Sequence, residues 1–316
     1  MDLTTRYLGL TLAHPFIPGA SPMTMDLDSA ARLEDAGAPA LVVHSLFEED
    51  IAEYRGAADR YLELLLRLKR RVQIPLIASL NGVTASGWLK YATLIERAGA
   101  RALELNFYHV ATDPLQDAAS IESRIVDIVA VLKESTSIPL AVKLSPFFTA
   151  LPHLAGALER IGADGLVLFN RFLQPDLDPE RCDASLVLPP SDPSELLLRL
   201  RWIAILSGQV NVSLALSGGV HRPIDAVKAV MAGAHGVQIV SALLKSGPRH
   251  LAQIRDEFAL WGERHGYVSV EQMRGRADLR HCAHAHRLER GNYVEVLRAA
   301  AKELQRSTPA LAESER

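Results

Sequence analysis

Strand-length apolar runs alternate with helical segments along nearly the whole chain, and this alternation limits the fold more than any single motif does. Phe16 to Ser21 reads as a first strand ending in small residues. Seven more strands follow at Ala40 to His44, Pro75 to Leu80, Ala102 to Asn106, Leu140 to Leu144, Gly165 to Phe169, Val212 to Leu216 and Gly236 to Val240. Such apolar, β-branched runs suit parallel strands buried on both faces. Helical spacing lies between them, at Asp28 to Ala36, Arg60 to Arg71, Trp88 to Ala98, Glu122 to Ser135, Leu151 to Ile161, Glu195 to Ser207 and Ile224 to Ala232. Three helix ends share one punctuation, Ala98-Gly99-Ala100, Ile161-Gly162-Ala163 and Ala232-Gly233-Ala234, with glycine at the stop.

Eight parallel strands with helices between them close into a (β/α)8 TIM barrel, and 316 residues suit one barrel. Arg6 to Leu12 reads as a short N-terminal strand, turned by His14-Pro15. After the eighth strand come a helix at Leu251 to His265, a polar segment and a C-terminal helix near Tyr293 to Leu304. We expect one domain over residues 1–306 and a disordered tail over residues 307–316.

With 48% apolar residues the chain can bury a large core, and its net charge of −3 is mixed along the sequence. That balance leaves no footprint for nucleic acid. No apolar run reaches membrane length and no apolar leader opens the sequence, so we expect a cytoplasmic protein with no membrane partner. Cys182 and Cys282 are too few for a disulfide scaffold. Cys282 stands among His281, His284 and His286, but no second spaced cluster completes a closed ligand set, and no metal is assigned.

Val212 to Pro248 holds two successive strand-turn-helix units. One strand ends at Ser217-Gly218-Gly219 and the next at Val240-Ser241. Adjacent strands ending in small residues leave backbone N–H groups free to converge on an anion, as in the phosphate sites of such barrels. The bland alternative is a pair of tight turns; two such turns one unit apart favour phosphate.

Chemistry in this architecture gathers at the C-terminal strand ends. Those ends carry Gly19-Ala20-Ser21, His44-Ser45, Asn81-Gly82, Asn106 with Tyr108-His109, Lys143, Asn170-Arg171, Ser217-Gly218-Gly219 and Val240-Ser241. No carboxylate stands at any strand end, which argues against a glycosidase carboxylate pair or a carboxylate-bound metal. Asn amides suit a ligand with imide or uracil-like edges. Lys143 follows Val142 in a buried strand, where its charge needs an anion; it could form a Schiff base or stabilise a developing anion. His109 could move a proton or could simply satisfy a neighbouring backbone group.

On these residues the chain resembles the dihydroorotate dehydrogenase family, especially its cytosolic class 1 branch, over roughly Leu8 to Tyr267. The specific parts are Pro139 to Phe148, reading PLAVKLSPFF, then Glu104-Leu105-Asn106, Phe169-Asn170 and Leu216 to Pro248. The resemblance implies an FMN-binding barrel. Gly19, Ala20 and Ser21 would lie against the flavin, and Asn81 and Asn106 would bond to flavin or substrate. Lys143 would stabilise the reduced ring, and Gly218, Gly219, Val240 and Ser241 would hold the phosphate.

The departures fall on the substrate side. Where the family has Asn-Leu-Ser-Cys-Pro-Asn this chain reads Asn106-Phe107-Tyr108-His109-Val110-Ala111, so His109 replaces the family's base and Ala111 a substrate-binding Asn. The Lys expected after strand two is His44, and the Ser expected after Asn170 is Arg171. The loop after strand two, about Phe47 to Asp59, is short, and the family's Asn-Ser-Met-Gly segment has no counterpart. The expectation is an FMN-dependent oxidoreductase with catalytic His109 and Lys143, whose substrate meets His44, Asn106, Asn170 and Arg171. Its alternatives are a catalytically silent FMN-binding subunit of a redox complex and a Schiff-base lyase using Lys143. The resemblance also implies a homodimer and leaves room for a redox partner.

Overall fold

The computed structural model describes residues 1–84, 87–186 and 190–307. Its strands are β1 (Thr5–Tyr7), β2 (Leu10–Leu12), β3 (Phe16–Pro18), β4 (Leu41–Phe47), β5 (Leu76–Asn81), β6 (Ala102–Asn106), β7 (Leu140–Leu144), β8 (Gly165–Leu168), β9 (Asp176–Asp178), β10 (Asp183–Ser185), β11 (Ser213–Ser217) and β12 (Gly236–Ile239). Eight of them form one sheet in the order β3-β12-β11-β8-β7-β6-β5-β4, every paired neighbour parallel. β3 and β4 lie side by side at its two edges, so the sheet closes into a (β/α)8 barrel.

The helices are α1 (Leu27–Asp35), α2 (Glu48–Glu53), α3 (Ala57–Arg71), α4 (Tyr91–Arg97), α5 (Ala118–Ser135), α6 (Leu151–Arg160), α7 (Leu196–Leu206), α8 (Pro223–Ala232), α9 (Ser241–Ser246), α10 (Arg249–Arg264), α11 (Val270–Met273) and α12 (Gly291–Ser307). They bury their apolar faces on the outside of the barrel. In α3, Ala58, Tyr61, Leu65 and Leu68 share the inward face while the arginines and lysine between them face water. Each fully buried leucine is worth ~1.5–3 kcal/mol. Asp26 and Asp117 start α1 and α5 by accepting from Ser29 N at 2.8 Å and Ser120 N at 2.7 Å, which meets otherwise orphaned helix-end donors.

The barrel interior decides what lies at each end. Near the N-terminal ends of the strands its inward residues are small, among them Ala102, Ala141, Gly165, Ala215 and Gly236. The first residues of the chain fill the space so left. A Cβ on Gly165 would stand 2.6 Å from Leu8 Cδ2, and one on Gly236 3.3 Å from Tyr7 Cδ2. Arg6 to Leu12 is therefore not one strand. It is the antiparallel hairpin β1–β2, with Tyr7 facing Leu10 and a two-residue turn at Leu8 (φ 51°) and Gly9 (φ 70°). Positive φ at both turn residues matches the right-handed twist of the flanking strands.

Other departures lie in the loops at the opposite end. β4 runs on to Phe47, past the expected stop at His44, because Ser45, Leu46 and Phe47 pair with Ser79, Leu80 and Asn81 beyond a register shift between Val42 and Ser45. The segment read as a short loop, Phe47 to Asp59, contains α2 and the start of α3. β9 and β10 form a second small hairpin in the loop after β8, and α9 follows β12 directly. Of the tail expected over residues 307–316, residues 308–316 lie outside the described residues, and Ser307 is the last residue of α12. No helix among the described residues is long and apolar enough to cross a membrane. None of their His, Cys, Asp and Glu side chains form a group suited to a metal ion.

Two imidazoles are locked near the strand starts. His14 Nε2 lies 2.7 Å from Gly37 O while its Nδ1 accepts from Phe16 N at 3.2 Å, a pairing that the neutral ring satisfies. His235 Nδ1 accepts from Leu214 N at 3.1 Å. Burial lowers both pKa values to about 4. In the unfolded chain these rings titrate near ~6.5. Above that pH neither state is protonated and this source of stability is flat. As pH falls from about 6.5 toward 4 only the unfolded chain takes up protons, so stability declines, on the order of 2–3 kcal/mol for His14 and less for the half-buried His235. Urea unfolding at pH 7 and pH 4.5 measures the decline. His14→Gln should reduce the difference between the two pH values; an undiminished difference would assign it to other groups.

Candidate active site

β11 stops at Ser217 and runs into Gly218 and Gly219, with φ of 99° and 80°. A Cβ on Gly218 would stand 2.7 Å from Arg199 Nε, and one on Gly219 2.6 Å from Leu196 N. Both positions therefore need glycine for backbone conformation and for space. Ser191, from the loop after β10, closes over this turn: its backbone N donates to Ser241 Oγ at 2.8 Å, and its Oγ accepts from Gly219 N at 3.5 Å.

Arg199 of α7 holds the turn from behind. Its Nε donates to Ser217 O, and its two terminal nitrogens donate to Glu195 O at 2.7 Å and Glu195 Oε2 at 3.0 Å. Burial lowers the guanidinium pKa, and the Glu195 carboxylate works against that. Arg171 adds a second positive charge to the same cleft. The cleft encloses about 310 Å³. Of the residues singled out in the sequence, Ala20, Ser21, Lys143, Asn170, Arg171, Gly218, Gly219, Val240 and Ser241 line it. Gly19 does not; a Cβ there would lie 2.8 Å from Val240 Cγ2, so its lack of a side chain lets β3 and the end of β12 approach.

Lys143 sits on the inner wall, 7% exposed. Its Nζ donates to Glu104 Oε1 at 3.2 Å and to Gln238 Oε1 at 2.9 Å. Gln238 Nε2 in turn donates to Glu104 Oε2, so three strands contribute to one closed polar triangle. Glu104 is the anion that a buried lysine requires, since without it the ammonium would be an uncompensated buried charge. Counting strand ends alone missed Glu104 and Gln238, each one residue inside its strand end or deeper. The available signal was a lone polar side chain in an apolar parallel strand, Ala102-Leu103-Glu104-Leu105 and Gly236-Val237-Gln238-Ile239.

Asn81, Asn106 and Lys143 stand in register on β5, β6 and β7. Asn106 is buried, and its Nδ2 donates to Ser79 Oγ at 2.6 Å and Ser45 Oγ at 3.1 Å. Ser79 is fixed in turn by the Tyr61 hydroxyl, which donates to Ser79 O at 3.1 Å and accepts from Ser79 N at 2.9 Å. His44 lies in the irregular stretch of β4, edge-on to Tyr61 at 5.3 Å, and burial lowers its pKa. It lines a second hollow of about 690 Å³ with Phe47, Tyr54, Arg60 and Tyr61. The two hollows share Ala20, Ser21 and Pro22 as a common wall.

His109 lies on the loop after β6, half-buried and outside the lining of both hollows. Its ring centroid is 6.2 Å from that of Phe107, and Nε2 is 2.9 Å from Gln116 Oε1. Tyr108 beside it donates to Leu173 O at 3.2 Å and tilts against Phe172. The structure thus gathers the glycine turn, Lys143, Asn170 and Arg171 in one cleft, sets Asn106 on the strand next to Lys143 and Asn81 one strand further, and leaves His44 and His109 outside its lining.

No family model matches the sequence. Among curated proteins it is similar to the catalytic subunit of dihydroorotate dehydrogenase B (NAD(+)) of Thermoplasma volcanium, with 25% identity over 299 residues, 87% of this chain and 98% of that one. The same subunit of Methanothermobacter thermautotrophicus gives the same figures, 25% over 299 residues. A putative dihydroorotate dehydrogenase A (fumarate) of Aeropyrum pernix is 30% identical over 229 residues, 68% of this chain and 71% of that one. A (β/α)8 barrel with this cleft and these relatives belongs to the dihydroorotate dehydrogenase family.

Proposed function

We propose that the protein is an FMN-dependent oxidoreductase that takes two electrons from a small organic donor. The observation that carries this reading is the meeting, in one cleft, of a glycine turn and a buried lysine. A phosphate is assigned to this turn because Gly218 and Gly219 present no side chain to the cleft and the Arg199 guanidinium, paired with Glu195, braces the turn from behind. Ala20, Ser21 and Val240 offer small or apolar surfaces against which a flat ring can rest.

FMN bound in this cleft would supply reversible acceptance of a hydride equivalent, with negative charge gathering on the reduced ring. The chain's own residues supply the rest. Lys143, fixed by Glu104 and Gln238, presents a preorganised positive charge that favours that anion without reorganisation during the reaction. Arg171 has the charge to hold an acidic group of the donor. His109 stands on the loop after β6, outside the cleft lining; with Nε2 donating to Gln116 Oε1 its Nδ1 is left to take a proton once that loop closes over a bound donor. Family membership makes dihydroorotate the first donor to try, and the replacements at His44, His109, Ala111 and Arg171 make a different small acid the alternative.

Purified protein should show a flavin absorption spectrum, and anaerobic addition of dihydroorotate tests the donor. Bleaching identifies dihydroorotate as a substrate; a yellow protein that stays oxidised sends the search to other small acids. A colourless protein that cannot be reconstituted with FMN would refute the cofactor. With a donor in hand, His109→Ala should lower kcat by at least ~10²-fold, the usual worth of a positioned acid or base, and leave FMN bound. Unchanged turnover would remove His109 from the reaction. Arg171→Ala should raise KM for an acidic donor about tenfold or more with little change in kcat, as expected when a charge-assisted hydrogen bond of ~1.5–3 kcal/mol is lost.

A further inference from the structure

The polar triangle below the cleft holds more than a partner for Lys143. Glu104 is fully buried, and both its oxygens are engaged, Oε1 by Lys143 and Oε2 by Gln238. Gln238, 1% exposed, accepts from Lys143 and donates to Glu104, so its amide can stand in only one orientation. Beneath them Tyr7 rises from the β1–β2 hairpin into the space left by Gly236. Its hydroxyl is fully buried and has no hydrogen-bond partner among the described residues. Burial and then the Glu104 charge hold the phenol well above its ordinary pKa, which keeps it a neutral donor.

We propose that Glu104 is a positioning residue that sets how much of Lys143's positive charge reaches the cleft, with the buried, otherwise unpartnered Tyr7 hydroxyl as the dipole that tempers Glu104 from below. The inference rests on the flavin reading above. Lys143 at full charge would favour the reduced, anionic ring strongly and make it slow to pass its electrons on. A carboxylate 3.2 Å behind the ammonium removes part of that field. The Tyr7 dipole, positive end toward Glu104, restores a little. Affinity for the oxidised and reduced ring is thus balanced by groups that touch neither.

The test is the two-electron midpoint potential of bound FMN, with the dissociation constant of oxidised FMN measured beside it. Glu104→Gln keeps the shape and removes the negative charge; measured toward the acid end of the protein's stability range, where Lys143 keeps its proton without its partner, the preference for reduced over oxidised FMN should rise about tenfold, ~30 mV for a two-electron couple. Tyr7→Phe removes only the hydroxyl and should move the potential the other way, by about twofold to threefold. Glu104→Asp, which keeps the charge, should stay within about threefold of the native protein. Shifts of opposite sign in Glu104→Gln and Tyr7→Phe support the proposal, because general damage to packing would not reverse sign between them. Equal potentials in native protein and Glu104→Gln overturn it, as does a shift of the same sign in both variants. If Glu104→Gln does not fold, Tyr7→Phe decides alone, a lowered potential supporting the proposal and an unchanged or raised one overturning it. Native protein that binds no FMN overturns the flavin reading and this proposal together, whereas bound FMN with unmoved potentials overturns this proposal only.

Discussion

A closed parallel barrel has an inside that water cannot fill, and every other feature of this protein follows from how that inside is occupied. Toward one end the strands contribute alanines and glycines, and the vacated volume goes to Tyr7, Leu8 and Leu12 of the N-terminal hairpin. Toward the other end the interior turns polar, with Glu104, Lys143 and Gln238 satisfying one another before the cleft opens. The first solution is dispersion and apolar burial. The second is a charge pair whose cost is acceptable only because each hydrogen-bonding position is matched.

How far the sequence could be read depended on whether a feature is local. Strands such as Ala102–Asn106 and Leu140–Leu144 appear where the apolar runs place them, since a run buried on both faces has no other comfortable environment. The glycine turn after β11 is equally local, because Gly218 and Gly219 need positive φ whatever surrounds them. The β1–β2 hairpin was obscured because Leu8, a poor residue for positive φ, occupies the turn, its cost repaid by burial inside the barrel.

The site was legible in part for the same reason. Strand ends in a barrel converge, so Lys143, Asn170, Arg171, Gly218 and Ser241 could be expected in one place from their positions alone. Glu104 and Gln238 were hidden because their pairing is fixed by barrel closure, which brings β6 and β12 across from each other although over 100 residues separate them. Arg199 was hidden because a helix whose apolar residues run nearly all round gives no hint that one arginine turns inward to a carbonyl. His109 shows the converse. Its place after β6 suggested the mouth, yet the path of that loop sets the ring against Phe107 and Gln116.

The hairpin that plugs the barrel bears on how the chain is made. Tyr7, Leu8 and Leu12 are translated well before Gly165, Gly236 and the strands that enclose them. β3 likewise waits for β12 before its edge is paired. The hairpin's apolar residues therefore stay without their native cover until the eighth barrel strand has been made, which makes barrel closure a late, cooperative event built on contacts distant in sequence.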